Sequence, residues 1–247
     1  MSIMDKIKKP VAAEINPTIM IYGKPGTGKT TSIGRLPNTL VIDTERGSGS
    51  LTKLPNPPDV IEIGSLKDLE EVFIFLKTQK HDYKHIVIDT FTEIQKMVLN
   101  EILEAAVKKD PTRDPNKLYI ADYGKATQYL RKIIRLFRSL PLTVIFTAHV
   151  REDKDEETGK ILLSPSMTPS VAEDLAAYVD VILYLTVDKT GTRQVLTVPT
   201  DRIVAKHRFG KLQPLYKFEN SVVDLNVLLE DMRKPIIEEN KNKSKSK

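Results

Sequence analysis

The stretch TIMIYGKPGTGKT, residues 18–30, joins a short apolar run to a glycine-rich turn. Its last eight residues satisfy the pattern G-x-x-x-x-G-K-[ST], in which glycines let the backbone fold so that successive N–H groups point at a phosphate. Lys29 would supply a compact positive charge to the β- and γ-phosphates, and the Thr30 hydroxyl would ligate Mg²⁺. Residues 31–36 can continue the turn as a helix, whose positive end would add to the anion site. The stretch therefore predicts a strand, a helix and between them a loop that binds a nucleoside triphosphate through Gly23, Lys24, Pro25, Gly26, Thr27, Gly28, Lys29, Thr30 and Thr31.

Short apolar runs alternate with longer helical patterns over the next hundred residues, which is typical of a parallel sheet covered by helices. Nearly every residue is apolar in runs such as HIVIDT and LTVIFTAH, as expected of strands buried on both faces. We predict an α/β fold with a mostly parallel central sheet flanked by helices. The predicted strands are Thr18–Tyr22, Thr39–Asp43, Val60–Ile63, His85–Asp89 and Leu142–Ala148, and the predicted helices are Leu66–Thr78, Thr90 to about Lys108, and about Asp122–Leu140.

The last third of the chain has a different character and is predicted to be rich in β-structure. A capping-box spacing at Ser170 and Glu173 predicts a short helix, and two β-prone runs around DKTGT predict a hairpin. One or two edge strands within 203–218 and a closing helix over 222–232 follow. The least regular segments are 109–121 and 150–169. The simplest division is an N-terminal extension (1–16), one folded domain (17–232) and a disordered basic tail (233–247).

Charge is unevenly distributed along the chain. The net charge is +5, but the segment 232–247 alone holds six basic and two acidic residues, which leaves 32 basic against 31 acidic residues elsewhere. The body is therefore nearly neutral, and the tail is either a solubilising end or an electrostatic contact to nucleic acid. The chain has no cysteine, no apolar run near the roughly 20 residues that span a bilayer, and no signal-peptide core at its start. We expect a soluble cytoplasmic protein without a membrane partner.

In the stretch HIVIDT, Asp89 follows an apolar run and lies 60 residues after Lys29. An aspartate at the tip of a strand beside the phosphate loop would hold Mg²⁺, usually through water. Asp89 and Thr30 are therefore the predicted metal-binding residues. A second strand ends the same way in TLVIDTERGSGS, where Asp43 and Glu45 are acidic.

Together, the segments GKPGTGKT, IDTERGS, IVIDTF, DYGKATQYLRKIIRLF, IFTAHVRED and AKHRFGKL resemble the RecA-like ATPases, a superfamily that includes RecA, RadA, KaiC and the DnaB-type helicases. Within it, the chain looks like the short phage-encoded nucleotide-binding proteins, some of which are implicated in single-strand annealing and homologous recombination. The resemblance covers about residues 17–230. It implies a RecA-like P-loop core, ATP and Mg²⁺, a homo-oligomer, single-stranded DNA as a partner, and the cytoplasm of the host cell as the location.

The resemblance also implies roles for individual residues. Glu45 matches the glutamate that activates the attacking water, and either Thr147 or His149 matches the polar residue that senses the γ-phosphate. Lys206 and Arg208 match the K-x-R-x-G segment that reaches the ATP of a neighbouring subunit. Simpler interpretations remain open, in which Glu45 caps a turn, His149 forms a hydrogen bond at a strand end, and Lys206 and Arg208 lie on a basic edge strand that faces solvent.

Two features bear on DNA binding. The segment 151–163 carries three basic and five acidic residues, which does not suit a loop that contacts a DNA backbone. Tyr119 and Tyr123 flank the irregular segment 109–121, where they would stack on bases or serve only as packing or surface residues.

Other P-loop classes fit less well. A GTPase should carry an N-K-x-D motif, but NKLY at 116–119 lacks the acid, and an AAA+ protein should add a helical C-terminal domain. The leading hypothesis is an oligomeric, DNA-linked ATPase of recombination or annealing. The alternative is an ATP-gated adaptor or loader that binds a single-strand binding or replication protein, with slow turnover that is indifferent to DNA.

Overall fold

The computed structural model of the chain describes residues 15–154, 156, 159–218 and 222–234. Its strands are β1 Thr18–Tyr22, β2 Thr39–Asp43, β3 Asp59–Glu62, β4 His85–Asp89, β5 Thr143–Ala148, β6 Val150–Lys154, β7 Ile161–Pro165, β8 Val181–Val187, β9 Arg193–Leu196, β10 Lys206–His207 and β11 Leu215–Phe218. Its α-helices are α1 Lys29–Ile33, α2 Leu66–Thr78, α3 Phe91–Lys109, α4 Ile120–Arg138, α5 Pro169–Tyr178 and α6 Leu225–Arg233, and a 3₁₀ helix spans Ser48–Lys53.

Nine of the strands form one sheet in the order β11-β9-β8-β1-β5-β4-β2-β3, with β10 paired to β8 beside β9. The strands from β8 to β3 in this order run parallel, whereas β9, β10 and β11 add to the β8 side in antiparallel fashion. β6 and β7 form a separate two-stranded hairpin. The carboxyl ends of β1, β2, β4 and β5 therefore meet at one edge of the sheet, where such folds place their ligands.

Each face of the sheet is covered by its own helices, because every residue of β1, β2, β4 and β5 is buried and both faces need apolar cover. On one face, residues such as Met20, Ile88 and Phe146 pack against α2, α3, α4 and α5. On the other, Ile21 and Val87 pack with residues of α1 and α6. The α/β class, the mostly parallel sheet and the β-rich last third are confirmed.

Most predicted elements agree with the structure to within two residues, but three predictions were wrong. The helix after the phosphate loop ends at Ile33, and the chain turns at Gly34. Leu51 and Leu54 lie so close to Gly34 that a side chain there would collide with them. α5 starts at Pro169 rather than after a Ser170 cap. Proline suits the first turn of a helix because the N–H that it lacks would have no partner within the helix. α6 starts at Leu225 instead of 222, because Asp224 caps it by accepting the N–H of Asn226.

The segment 150–169 also proved more regular than expected, since β6 and β7 pair over five residues each. Within the described part of the chain, no helix is long and apolar enough to cross a bilayer. The predicted extension and tail fall almost entirely on residues 1–14 and 235–247, which lie outside the described residues.

Candidate functional site

The phosphate loop leaves β1 at Tyr22 and enters α1 at Lys29. Gly26 and Gly28 have φ angles of 79° and 95°, a left-handed conformation that glycine adopts without steric cost. Ser32 N–H donates to Gly28 O at 2.9 Å, and the N–H groups that precede a helix's first bond have no partner inside the helix. These N–H groups are the donors that a phosphate needs. α1 has only five residues, so the anion site relies on them and on Lys29 more than on a helix dipole.

Lys29 is buried, with 8% of its surface exposed. Its Nζ donates to the carbonyl oxygens of Gly23 at 2.9 Å and Lys24 at 3.2 Å. Burial lowers the pKa of Lys29, and the nearby carboxylates of Asp89 and Glu45 oppose that shift. Its ammonium is thus held within the loop, where an incoming phosphate would offer a better acceptor than the carbonyls.

Asp89 lies beside the loop and accepts two side-chain hydrogen bonds. Thr30 Oγ1 donates to its Oδ2 at 2.8 Å, and Thr147 Oγ1 donates to its Oδ1 at 2.5 Å. Burial raises the pKa of the Asp89 carboxyl, which these two bonds partly counter.

The hydroxyl of Thr30 and the carboxylate of Asp89 fit a magnesium ion, which takes oxygen ligands and keeps several waters when it is bound with substrate phosphates. The described residues contain no cluster of three His, Asp or Glu that would hold a metal by itself. An ion at this position would therefore be shared between these two residues, the phosphates and water. The predicted pair is brought together as expected.

The neighbouring strands β2 and β4 both end in VID and are each followed by a threonine, and they pair in register, so that Asp43 lies opposite Asp89. The two aspartates nevertheless have different partners. Asp43 accepts the backbone N–H groups of Glu45, Gly47 and Ser48 at 2.9–3.2 Å. Asp43 therefore fixes the turn that carries Glu45, and Asp89 faces the phosphate loop.

Glu45 is partly exposed and is oriented by two side chains. Its Oε1 is 2.9 Å from Thr90 Oγ1, which donates to it, and 2.7 Å from His149 Nε2. Within the described residues, its Oε2 has no hydrogen-bond partner. One oxygen is therefore fixed and the other is available to accept a proton from water.

The structure thus brings the phosphate loop, Glu45, Asp89, Thr147 and His149 together at one edge of the sheet. Of the two residues proposed as γ-phosphate sensor, Thr147 contacts the metal-site aspartate and His149 contacts Glu45.

Lys206 and Arg208 lie elsewhere in the chain. Lys206 pairs with Ile182 on β8 and its Nζ donates to Ala176 O at the end of α5. Arg208 donates to Ala177 O at 3.0 Å and forms an ion pair with Asp180 at 3.4 Å. Neither residue is part of the site of its own chain, and the role in a neighbouring subunit stays a prediction.

The tyrosines considered for base stacking are half exposed, Tyr119 at 44% and Tyr123 at 41%. The guanidinium of Arg113 lies 4.3 Å from the ring centroid of Tyr119 and also pairs with Asp122. One face of the Tyr119 ring is therefore covered by the chain itself, and base stacking stays a prediction.

The β6–β7 hairpin is connected to the site at two points. His149, which contacts Glu45, directly precedes β6. Glu152 on β6 forms an ion pair at 2.8 Å with Lys24 of the phosphate loop, and the contact raises the pKa of Lys24. The hairpin therefore touches both the nucleotide loop and the candidate base.

Sequence reasoning missed three residues of the site, Thr44, Thr90 and Arg193. Thr44 Oγ1 accepts the N–H of Thr90 at 2.9 Å and so joins the ends of β2 and β4. Arg193 Nε donates to Thr27 O of the phosphate loop at 3.0 Å. The repeated VIDT ends were a usable signal for both threonines, whereas nothing near Arg193 in the sequence marks it.

A family model described as an AAA domain matches residues 15–209, which is more than half of the chain. No curated protein matches. We expected an AAA protein to carry a helical C-terminal domain, but the described residues after Val179 form four strands and the single helix α6. The phosphate loop, the Thr30–Asp89 pair and the family match agree: the chain belongs to the AAA domain family and is an AAA-type P-loop ATPase.

Proposed function

We propose that the protein hydrolyses ATP with Mg²⁺ and that Glu45 is the general base. The observation that carries this proposal is the position of Glu45, whose free Oε2 lies at the same sheet edge as the Thr30–Asp89 pair and the phosphate loop. Bound Mg²⁺ would neutralise charge on the phosphates. Lys29 binds the β- and γ-phosphates, and Glu45 accepts a proton from water as the water oxygen bonds to the γ-phosphorus. The bond to the β-phosphate oxygen breaks, which yields ADP and phosphate.

The proposal includes an assembly. Lys206 and Arg208 would reach the ATP of a neighbouring copy and stabilise charge on the transferred phosphoryl group, as the resemblance to RecA-like proteins implies. Both residues contact the end of α5 or Asp180 and not the site of their own chain, which supports a role in trans. The two links from the hairpin to Lys24 and Glu45 support coupling of turnover to a partner bound by the hairpin. The resemblance suggests single-stranded DNA, in phage-type recombination or annealing.

A second candidate function is an ATP-gated adaptor or loader that binds a single-strand binding or replication protein. The acidic composition of the hairpin region favours it, since the segment 151–163 holds five acidic and three basic residues. Such a surface suits a protein partner better than a phosphate backbone.

The test is the rate of ATP hydrolysis with and without single-stranded DNA, at low and moderate salt. The control is Lys29→Ala, which should abolish nucleotide binding. Stimulation by DNA, lost in Arg208→Ala but kept when residues 235–247 are removed, supports the DNA-linked assembly. A slow rate that DNA does not change supports the adaptor. Hydrolysis that persists in Lys29→Ala contradicts both.

A further inference from the structure

Arg193, the first residue of β9, lies directly on the phosphate loop. Its Nε donates to the carbonyl oxygen of Thr27 at 3.0 Å. Its side chain also packs against Gly28, where an added β-carbon would lie only 2.9 Å from Nε. The guanidinium thus contacts the part of the loop whose N–H groups cradle the α- and β-phosphates in proteins with this motif.

The turn between β8 and β9 holds Arg193 in place. Asp188 Oδ1 accepts the N–H groups of Thr190 at 2.9 Å and Thr192 at 3.0 Å, and its Oδ2 accepts Gln194 Nε2 at 2.9 Å. The Thr190 hydroxyl, which donates to Oδ1 at 2.7 Å, and these bonds lower the pKa of Asp188. Arg193 therefore projects from a fixed turn, which reduces the entropy lost when it binds a ligand.

Most of the donor capacity of Arg193 is unused. A guanidinium has five N–H donors and no acceptor, and only the Nε donor is bonded to Thr27. Among the described residues, no carboxylate or carbonyl accepts from its two terminal nitrogens. A half-buried cation with free donors next to an anion-binding loop matches an anionic ligand in charge and geometry.

We propose that Arg193 binds the α- and β-phosphates of the nucleotide held by its own chain, as a second cation beside Lys29. This inference rests on the proposed nucleotide binding. It differs from the role of Lys206 and Arg208, because Arg193 acts within one chain and on phosphates that ADP retains. Loss of Arg193 should therefore weaken ADP and ATP binding alike.

The test compares Arg193→Lys with Arg193→Gln by titration calorimetry with ATP, ADP and inorganic tripolyphosphate at fixed Mg²⁺ and salt. Both variants lose the guanidinium, but only the lysine keeps the charge. We expect Arg193→Gln to lose about tenfold or more in affinity for all three ligands, with Arg193→Lys recovering most of it. Lys189→Gln removes a cation from the exposed turn of the same hairpin and is the matched control, and thermal unfolding without ligand checks that each variant folds.

Three results would overturn the inference. Equal losses in Arg193→Lys and Arg193→Gln mean that Arg193 only shapes the loop through Thr27. A loss for ATP and ADP but not for tripolyphosphate places the contact on the nucleoside. Unchanged affinity in Arg193→Gln removes the contact altogether. Failure of the proposed function is distinguishable from these results, because the wild-type protein would then bind no ATP or would bind it as well after Lys29→Ala.

Discussion

At the scale of single residues, the two oxygens of Glu45 have different environments. Thr90 and His149 both contact Oε1, so the carboxylate is oriented without blocking Oε2. A general base needs this combination, because it must be held near the water and still have a lone pair to accept the proton. The position of Glu45 is fixed in turn by Asp43, which binds three N–H groups of the same turn.

Glu45→Gln should separate catalysis from binding. Glutamine keeps an oxygen that can accept from Thr90, but it cannot take a proton from water. We expect kcat to fall by about 10²–10⁴-fold, while ATP affinity stays within a few-fold of wild type. Steady-state hydrolysis and nucleotide titration measure the two effects. Glu62→Gln, at the exposed end of neighbouring β3, is the control, and normal turnover in Glu45→Gln removes Glu45 from the role of base.

Asp89 should make stability depend on pH. Burial raises its pKa above the ordinary value of 3.8, so the folded protein holds this proton more tightly than the unfolded chain does. The resulting contribution to stability is complete below pH 4 or so and is lost as the pH rises through the folded-state pKa. In Asp89→Asn this loss is absent. We therefore expect the unfolding free energy of Asp89→Asn, relative to wild type, to increase from pH 4 to pH 7 in the absence of nucleotide.

Urea unfolding of both proteins across this range measures the difference. Asp89→Asn should also lose Mg²⁺-dependent ATP hydrolysis, because an amide is a poorer magnesium ligand than a carboxylate. Parallel stability curves for the two proteins would mean that the folded structure does not disturb the titration of Asp89.

The sequence could identify the residues whose roles follow from a local motif. Lys29, Thr30 and Asp89 follow from the spacing of glycines and from an acid at a strand end, and they are found together. The repeated VIDT could have pointed to Thr44, but Arg193 could not be predicted, because its role depends on which distant segments become neighbours in the fold. Arg193 is 166 residues from the carbonyl that it contacts.

At the scale of secondary-structure elements, the strands buried on both faces were the easiest to predict. β1, β2 and β4 have the predicted bounds, since a short, mostly apolar run that ends in a polar residue leaves few other structures. The hairpin β6–β7 was missed because its partly exposed residues follow no alternation. It is stabilised by backbone that is distant in sequence: the Leu163 N–H donates to Arg202 O at 2.6 Å, and the Leu163 carbonyl oxygen accepts from the Val204 N–H at 3.0 Å.

The hairpin should loosen when its ion pair to the phosphate loop is removed. Lys24 and Glu152 are both about half exposed, so their pair contributes little to global stability and weakens with salt. We expect Glu152→Gln to speed amide hydrogen exchange in strands β6 and β7 a few-fold, with little change in melting temperature. High salt should have the same effect on wild type. Glu71→Gln breaks an exposed pair on α2 and is the control. Exchange unaltered in Glu152→Gln would show that backbone hydrogen bonds hold the hairpin without the ion pair.

At the scale of the whole molecule, the positions of the basic residues raise the question of assembly. The sheet edge that carries the phosphate loop and Glu45 belongs to one chain, and Arg208 is anchored at the start of β8 by Asp180. Arg138 also lies near Asp180, at 3.8 Å. A second copy is therefore required if Arg208 is to reach a nucleotide, and activity should then depend on protein concentration.

Mixing two inactive variants tests this dependence directly. Lys29→Ala lacks a working phosphate loop but keeps Arg208, and Arg208→Ala has the opposite defect. If Arg208 acts in trans, an equimolar mixture should recover up to about a quarter of wild-type hydrolysis, because in one of the four loop–arginine pairings an intact loop meets an intact arginine. Adding the double variant Lys29→Ala/Arg208→Ala to Arg208→Ala should recover nothing. Arg138→Ala, which also removes a cation near Asp180, should stay active alone. A mixture no more active than its parts, or Arg208→Ala that is active by itself, would mean that Arg208 only secures α5 and β10.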